Sequence, residues 1–329
     1  MLLWHGFYFF WYILFMKANN NENQEKPVIV RAKTIGYCMG VRRAVESAYM
    51  ALNAFPEKNV WTLGPLIHNK TTLDSLEKKG VKILEETELG NLGCDDVVII
   101  RAHGVAPETA RVLEKQGCTT IDATCPRVMR NQKKASVLAK QGFTVIIAGD
   151  KNHGEVTGIA GCAIDSQGNN VSILIENRTD AEKFIATRKK EGNPVPQKAV
   201  LISQTTISIA EYNTIAEVLR QEIPNLQVID TICPATTERQ NSLKDLEGKV
   251  DGVLIIGGKN SANTQRLLRS AKKIFEHAEL IESAQEIPEN FFTLKRIGLS
   301  AGASTPDEVI DEVEATLLET QPTQYTYDA

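Results

Sequence analysis

The sequence predicts an α/β protein of three similar α/β domains, set in a pseudo-threefold arrangement around a central cavity, and three observations predict it. First, Asp122-Ala123-Thr124-Cys125-Pro126 is matched 108 positions later by Asp230-Thr231-Ile232-Cys233-Pro234. Both copies follow a short apolar run (119–121 and 226–229) and open onto a helical pattern. Second, a looser copy, Ile35-Gly36-Tyr37-Cys38-Met39-Gly40-Val41, also leads into a helix, at 42–52. Third, other short apolar runs end in glycine-rich polar loops before a helix. Proline suits the first helical position, where no backbone N–H is needed. Cys125 and Cys233 therefore stand at the positive ends of helices, which favour the thiolate and its metal-ligating ability.

Taken in order, 28–30 reads as a strand ending at the Cys38 turn, and 60–63 as a second strand running into Gly64-Pro65-Leu66-Ile67-His68-Asn69. A helix at 71–79 is closed by Gly80. The run 97–100 is apolar throughout, as in strands buried on both faces, and ends in Arg101-Ala102-His103-Gly104. A helix at 107–116 stops at Gly117, and the next strand delivers Cys125. The scheme then repeats: helix 130–140, strand 144–148 and Gly149-Asp150-Lys151-Asn152-His153-Gly154-Glu155. Strand 200–202 ends in Ser203-Gln204-Thr205-Thr206, helix 209–221 follows, and a strand delivers Cys233. Residues 188–197, with one glycine, two prolines and several charges, read as a surface loop. Last come strand 253–256 with Gly257-Gly258-Lys259-Asn260-Ser261-Ala262-Asn263, helix 264–275, strand 297–299 with Ser300-Ala301-Gly302-Ala303-Ser304, and a helix from Pro306 to Leu318.

The repeat is about a hundred residues long, close to usual domain size. Expected divisions are a leader (1–26), three α/β domains (27–124, 125–231 and 232–320) and a disordered tail (321–329), with the first strand able to complete the third domain. In open α/β sheets ligands gather at the carboxyl ends of strands. All six strand-end loops should then face one enclosed space.

A net charge of −4 without a Lys/Arg stripe argues against nucleic acid. Six cysteines, none in the dense spacing of a secreted scaffold, point to a reducing compartment, the cytoplasm. The first fifteen residues are apolar and aromatic but short for a bilayer and without a basic start, so Met16 is read as the natural start, with a cleaved signal or membrane anchor as the alternative, and no membrane partner is expected.

Three similar cysteine turns suggest a shared site, although their spacings of 87 and 108 match no short motif, and buried structural thiols are the alternative. Three ligands are one short of the four that structural zinc and electron-carrying clusters take, leaving one metal position open. Cys94, Cys118 and Cys162 lack that context and read as structural. Of five histidines, His68, His103 and His153 lie in strand-end loops, where they could neutralise phosphate or ligate metal. His277 reads as a charged helix end. Gln204, Thr205, Ser261, Asn263 and Ser304 supply hydroxyls and amides ahead of helices, suited to phosphate or simply to N-capping. Glu155 is the carboxylate beside a candidate histidine; in a closed cavity it would keep its proton near neutral pH and act as general acid.

With these residues in hand, the sequence resembles the LytB family of 4-hydroxy-3-methylbut-2-enyl diphosphate reductases over about residues 28–318, through GYCMGVRRA, IHN, AHGV, DATCP, HGEV, SQTT, DTICPATTERQ, KNSANTQRL and SAGAST. The resemblance implies the last step of the non-mevalonate isoprenoid pathway: reductive dehydroxylation of the allylic diphosphate to isopentenyl and dimethylallyl diphosphate. It implies that Cys38, Cys125 and Cys233 hold a 4Fe-4S cluster with one iron not bound by cysteine. It further implies that His68, His103, His153, Ser261, Asn263 and Ser304 bind the diphosphate, that Glu155 donates a proton, and that Thr205 hydrogen-bonds Glu155 beside the substrate hydroxyl. Ala262 stands where the family often has a second serine, removing one side-chain contact. No GxGxxG follows a strand, so electrons would come from a ferredoxin or flavodoxin type of protein. Two other readings compete: a non-redox iron-sulfur hydro-lyase, needing no electron donor, and a redox sensor or scaffold, needing no acid at Glu155.

Overall fold

The computed structural model describes residues 26–192 and 194–319. The readings of the leader, its start codon and the tail lie outside the described residues.

Three four-stranded parallel sheets make up the fold. In the first sheet β2 (Asn59–Leu63) and β4 (Asp96–Ile100) are central, flanked by β3 (Val81–Leu84) and β5 (Thr119–Asp122). In the second, β6 (Thr144–Ala148) and β8 (Ala199–Ser203) lie between β7 (Ser172–Ile175) and β9 (Gln227–Val228). In the third, β10 (Gly252–Ile256) and β12 (Arg296–Ala301) lie between β11 (His277–Ile281) and β1 (Val28–Arg31). The first strand of the chain thus takes, beside β12, the place that β5 and β9 take in the other sheets. Its register runs from Val28 opposite Arg296 to Arg31 opposite Leu299.

Apolar runs explain which strands are central. Val97 to Ile99, Val145 to Ala148, Ala199 to Ser203 and Val253 to Ile256 are solvent-free, covered by helices on both sheet faces. The helices are α1 (Met39–Ala54), α2 (Lys70–Lys78) and α3 (Pro107–Gln116) in the first unit. The second has α4 (Pro126–Lys140), α5 (Gly154–Cys162), α6 (Arg178–Lys190) and α7 (Ile209–Glu222); the third has α8 (Pro234–Lys244), α9 (Ala262–Ala271) and α10 (Asp307–Glu319). Among the described residues no helix is long and apolar enough to cross a membrane.

Four sequence expectations need correction. Arg188 to Lys190 are the last turn of α6, not loop, because α6 has a good N-cap in Asn177 and ends only near Gly192, whose φ is 68°. His277 starts β11 rather than ending a helix; α9 ends at Ala271, and Gly252 pairs with His277 in register. The half-exposed flanking strands β3, β7 and β11 escape the pattern, since charged residues interrupt β3 and β11 and the apolar run of β7 is confined to 173–175. Finally, α5 follows directly on His153, shortening that loop.

In each sheet the chain goes from one central strand outward and returns to the other, so the direction of winding reverses between β2 and β4, β6 and β8, and β10 and β12. Such reversals leave a crevice at the strand ends, where ligands bind.

Candidate active site

Each of the three cysteines is a helix N-cap: Cys38 for α1, Cys125 for α4 and Cys233 for α8, the last two with proline next. None of the three side chains caps its own helix, so all three thiols remain available. Their backbones are held alike. Cys38 N–H donates to Ala303 O (3.0 Å), Cys125 N–H to Ala102 O (2.9 Å) and Cys233 N–H to Thr205 O (2.9 Å). Each acceptor is the second residue beyond a central strand, β12, β4 or β8. The repeat read from sequence is therefore a repeat of hydrogen bonds, and it turns all three cysteines onto one cavity of about 100 Å³.

The other central strands, β2, β6 and β10, also end alike. Gly64, Gly149 and Gly257 each donate N–H to the last residue of the neighbouring flanking strand, Leu84, Ile175 and Ile281. Four residues beyond these glycines stand His68, His153 and Ser261, all lining the cavity. His103 joins them from the β4 loop, and ring centroids lie 4.6 Å (68 to 103), 4.9 Å (103 to 153) and 5.6 Å (68 to 153) apart. Burial holds all three imidazoles neutral: His68 below its ordinary value, His103 well below, and His153 down to about 4. His153 Nδ1 accepts the N–H of Glu155 (3.2 Å), capping α5, so its neutral ring carries the proton on Nε2.

Glu155 is 1 % exposed. Its two oxygens accept the Thr205 backbone N–H (2.6 Å) and the Thr205 hydroxyl (2.8 Å). Burial raises its carboxyl to about 7, against the pull of the two Thr205 donors. The remaining polar residues differ in their partners. Ser261 is an N-cap, its hydroxyl oxygen accepting Thr264 N–H (3.3 Å), which leaves its proton free. Ser304 donates to His68 O (3.0 Å). Asn263 is 6 % exposed, lines the cavity, and its Nδ2 has no partner. Gln204 serves structure instead, its Oε1 accepting the Asp150 N–H (3.0 Å).

The structure thus brings eleven of the twelve sequence-read residues to one cavity, all but Gln204: three cysteines, three histidines, Glu155, Thr205, Ser261, Asn263 and Ser304. Cys94, Cys118 and Cys162 lie elsewhere. One buried charged residue of the cavity escaped sequence reading. Arg239 on α8 is 2 % exposed, lines the cavity, donates to Gly36 O (2.6 Å), and has a buried Nε without a partner. Its place inside DTICPATTERQ, six residues after Cys233, was the available signal.

The donor set suits an iron-sulfur group. Three free thiols at three helix N-termini face one space, and a buried guanidinium with an unused N–H shares it, ready to offset thiolate charge. Gly40 leaves room for this packing, since a Cβ there would come within 2.6 Å of Cys125 Sγ. Without such a group, burial holds the Cys125 and Cys233 thiols above their ordinary value.

The family model described as LytB protein matches residues 29–318. The 4-hydroxy-3-methylbut-2-enyl diphosphate reductase of Treponema denticola is 45% identical over 297 residues, covering 89% of this chain and 99% of its own. That of Caldanaerobacter subterraneus is 40% identical over 288 residues, covering 87% and 94%. Among solved structures, the E-1-hydroxy-2-methyl-but-2-enyl-4-diphosphate reductase of Plasmodium falciparum superposes with a TM-score of 0.80 at 27% identity, covering 92% of this chain and 91% of its own. A structure described as (E)-4-hydroxy-3-methyl-but-2-enyl diphosphate reductase, the terminal enzyme of the non-mevalonate pathway, gives 0.65 at 36% identity, covering 89% and 100%.

Proposed function

The chain belongs to the LytB family, and from that premise we propose that it reduces (E)-4-hydroxy-3-methylbut-2-enyl diphosphate to isopentenyl and dimethylallyl diphosphate, the last step of the non-mevalonate isoprenoid pathway. The carrying observation is the meeting of three free cysteines, three histidines and one buried, protonatable glutamate in a single cavity. The reaction breaks the allylic C–O bond, takes up two electrons and two protons, and releases water.

The family is iron-sulfur dependent, and here Cys38, Cys125 and Cys233 would hold the group, a 4Fe-4S cluster with one iron not bound by cysteine. When bound, it supplies electrons singly and a Lewis acid at that open position. The chain's own residues do the rest. Glu155, protonated up to about pH 7, gives the proton with which the hydroxyl leaves as water, and Thr205 fixes the carboxyl by two hydrogen bonds. His68, His103, His153, Ser261, Asn263 and Ser304 take the diphosphate. The imidazoles enter as neutral N–H donors, while the N-termini of α5 and α9 add their dipoles. Anchoring the diphosphate at this wall sets the hydroxyl end towards Glu155 and the cysteines.

A ferredoxin or flavodoxin type of protein is the proposed electron donor, the cytoplasm the proposed compartment, and 27–124, 125–231 and 232–320 the proposed domains, with β1 completing the third. Product formation with and without a reductant tests the reaction. Strict dependence supports reduction; turnover without any electron source would mean a hydro-lyase.

A further inference from the structure

Arg266 lies one turn beyond Asn263 on α9 and is 3 % exposed. Its guanidinium grips Asp150 in a fork: Nη2 to Oδ1 at 2.9 Å and Nη1 to Oδ2 at 3.1 Å. It also reaches Glu211 Oε2 (3.5 Å) and Thr206 Oγ1 (3.4 Å). A side chain of the third unit is thus fastened to both central strand-end loops of the second unit and to the first turn of α7.

Those loops carry the reactive groups. Asp150 opens the turn in which its carbonyl accepts the His153 N–H (3.0 Å), and Glu155 follows two residues later. Thr206 is adjacent to Thr205, which holds Glu155. On the other side, Ser261 and Asn263 lie in the first turn of the helix that bears Arg266. The fork therefore spans between the two sets of groups that would share one diphosphate.

We propose that Arg266 is a positioning residue, which sets the separation between Ser261 with Asn263 and His153 with Glu155 and so fixes the diphosphate seat across two units. This rests on the functional reading above. Geometry favours arginine over lysine, because only a planar fork satisfies both Asp150 oxygens while still reaching Glu211. The same guanidinium keeps Asp150 and Glu211 from presenting unpaired negative charge beside an anion site; its charge is also felt at His153 and Glu155.

The test uses anaerobically reconstituted holoenzyme, with KM for the allylic diphosphate, inhibition by inorganic diphosphate, bound iron and melting temperature as readouts. In Arg266→Gln, KM and the inhibition constant should rise together by about tenfold, the effect of two half-exposed carboxylates left unpaired beside the anion seat and of a loosened seat, with iron unchanged. Arg266→Lys should fall between, and Asp150→Asn added to Arg266→Gln should restore part of the loss, since the orphaned carboxylate is gone. A melting temperature that drops while KM and inhibition stay within about twofold would reduce Arg266 to a structural tie and overturn the proposal. If Arg266→Gln fails to fold, Asp150→Asn alone carries the test: both constants should rise about threefold, and no change overturns it. Inorganic diphosphate failing to inhibit the unaltered enzyme would instead remove the functional reading itself.

Discussion

The two walls of the cavity are made by the same threefold repeat, yet one is symmetric and the other is not. On the sulfur wall each unit contributes the same residue, a cysteine N-cap, tied by the same N–H bond to the same loop position, Ala303, Ala102 or Thr205. On the polar wall the equivalent positions hold His68, His153 and Ser261, and two residues later Glu155 and Asn263, while their counterpart in the first unit, Lys70, is exposed and outside the cavity. The first wall suits an inorganic group with no preferred direction. The second must orient a substrate with a charged end and a hydroxyl end, and placing an acid in only one unit does that. A symmetric scaffold thus supplies the cofactor seat, and its broken symmetry supplies regiochemistry.

Breaking the symmetric wall should have the largest effect. Serine at Cys38, Cys125 or Cys233 should abolish bound iron and reduce turnover to background, each position equally, as an iron assay beside a rate assay would show. Unequal losses would mean the three units do not share the load.

Next comes the acid. Glu155→Gln should keep the iron and its spectrum while lowering the rate by about 10²- to 10⁴-fold. Its protonated form is the active one, and its carboxyl sits at about 7. The rate should therefore hold below that pH and fall about tenfold per unit above it. Thr205→Val removes the hydroxyl donor that favours the carboxylate, so this limb should move to higher pH and turnover should slow about tenfold. A limb that stays in place would detach Glu155 from the step it reports. The smallest effect belongs to Ala262, which lines the cavity in the third unit. Ala262→Ser should lower KM about two- to fivefold by adding one donor to the diphosphate wall.

How much was legible follows the same division. Central strands such as 97–100 and 253–256 announce themselves because burial on both faces demands unbroken apolar runs. The flanking strands do not: β3 is exposed at its two middle residues, and β7 is half-buried along most of its length. Likewise, residues in glycine-rich strand-end loops stood out, since those loops must face the ligand. Arg239 and Arg266 stayed hidden. Each is an arginine in an ordinary helical stretch, the expected place for a solvated charge, and only packing shows that both are buried. Sequence periodicity reports which face is apolar, and cannot report a charge enclosed between domains.

The central claim is that three cysteines from three units hold an iron-sulfur group with one position free for the substrate. Iron content and the electronic spectrum of the anaerobically reconstituted chain, taken before and after addition of the allylic diphosphate, test it most directly. About four irons per chain, and a spectrum that the diphosphate alters, are the predicted result. A full complement of iron whose spectrum is indifferent to the diphosphate, or no iron retained with all three cysteines intact, would contradict it.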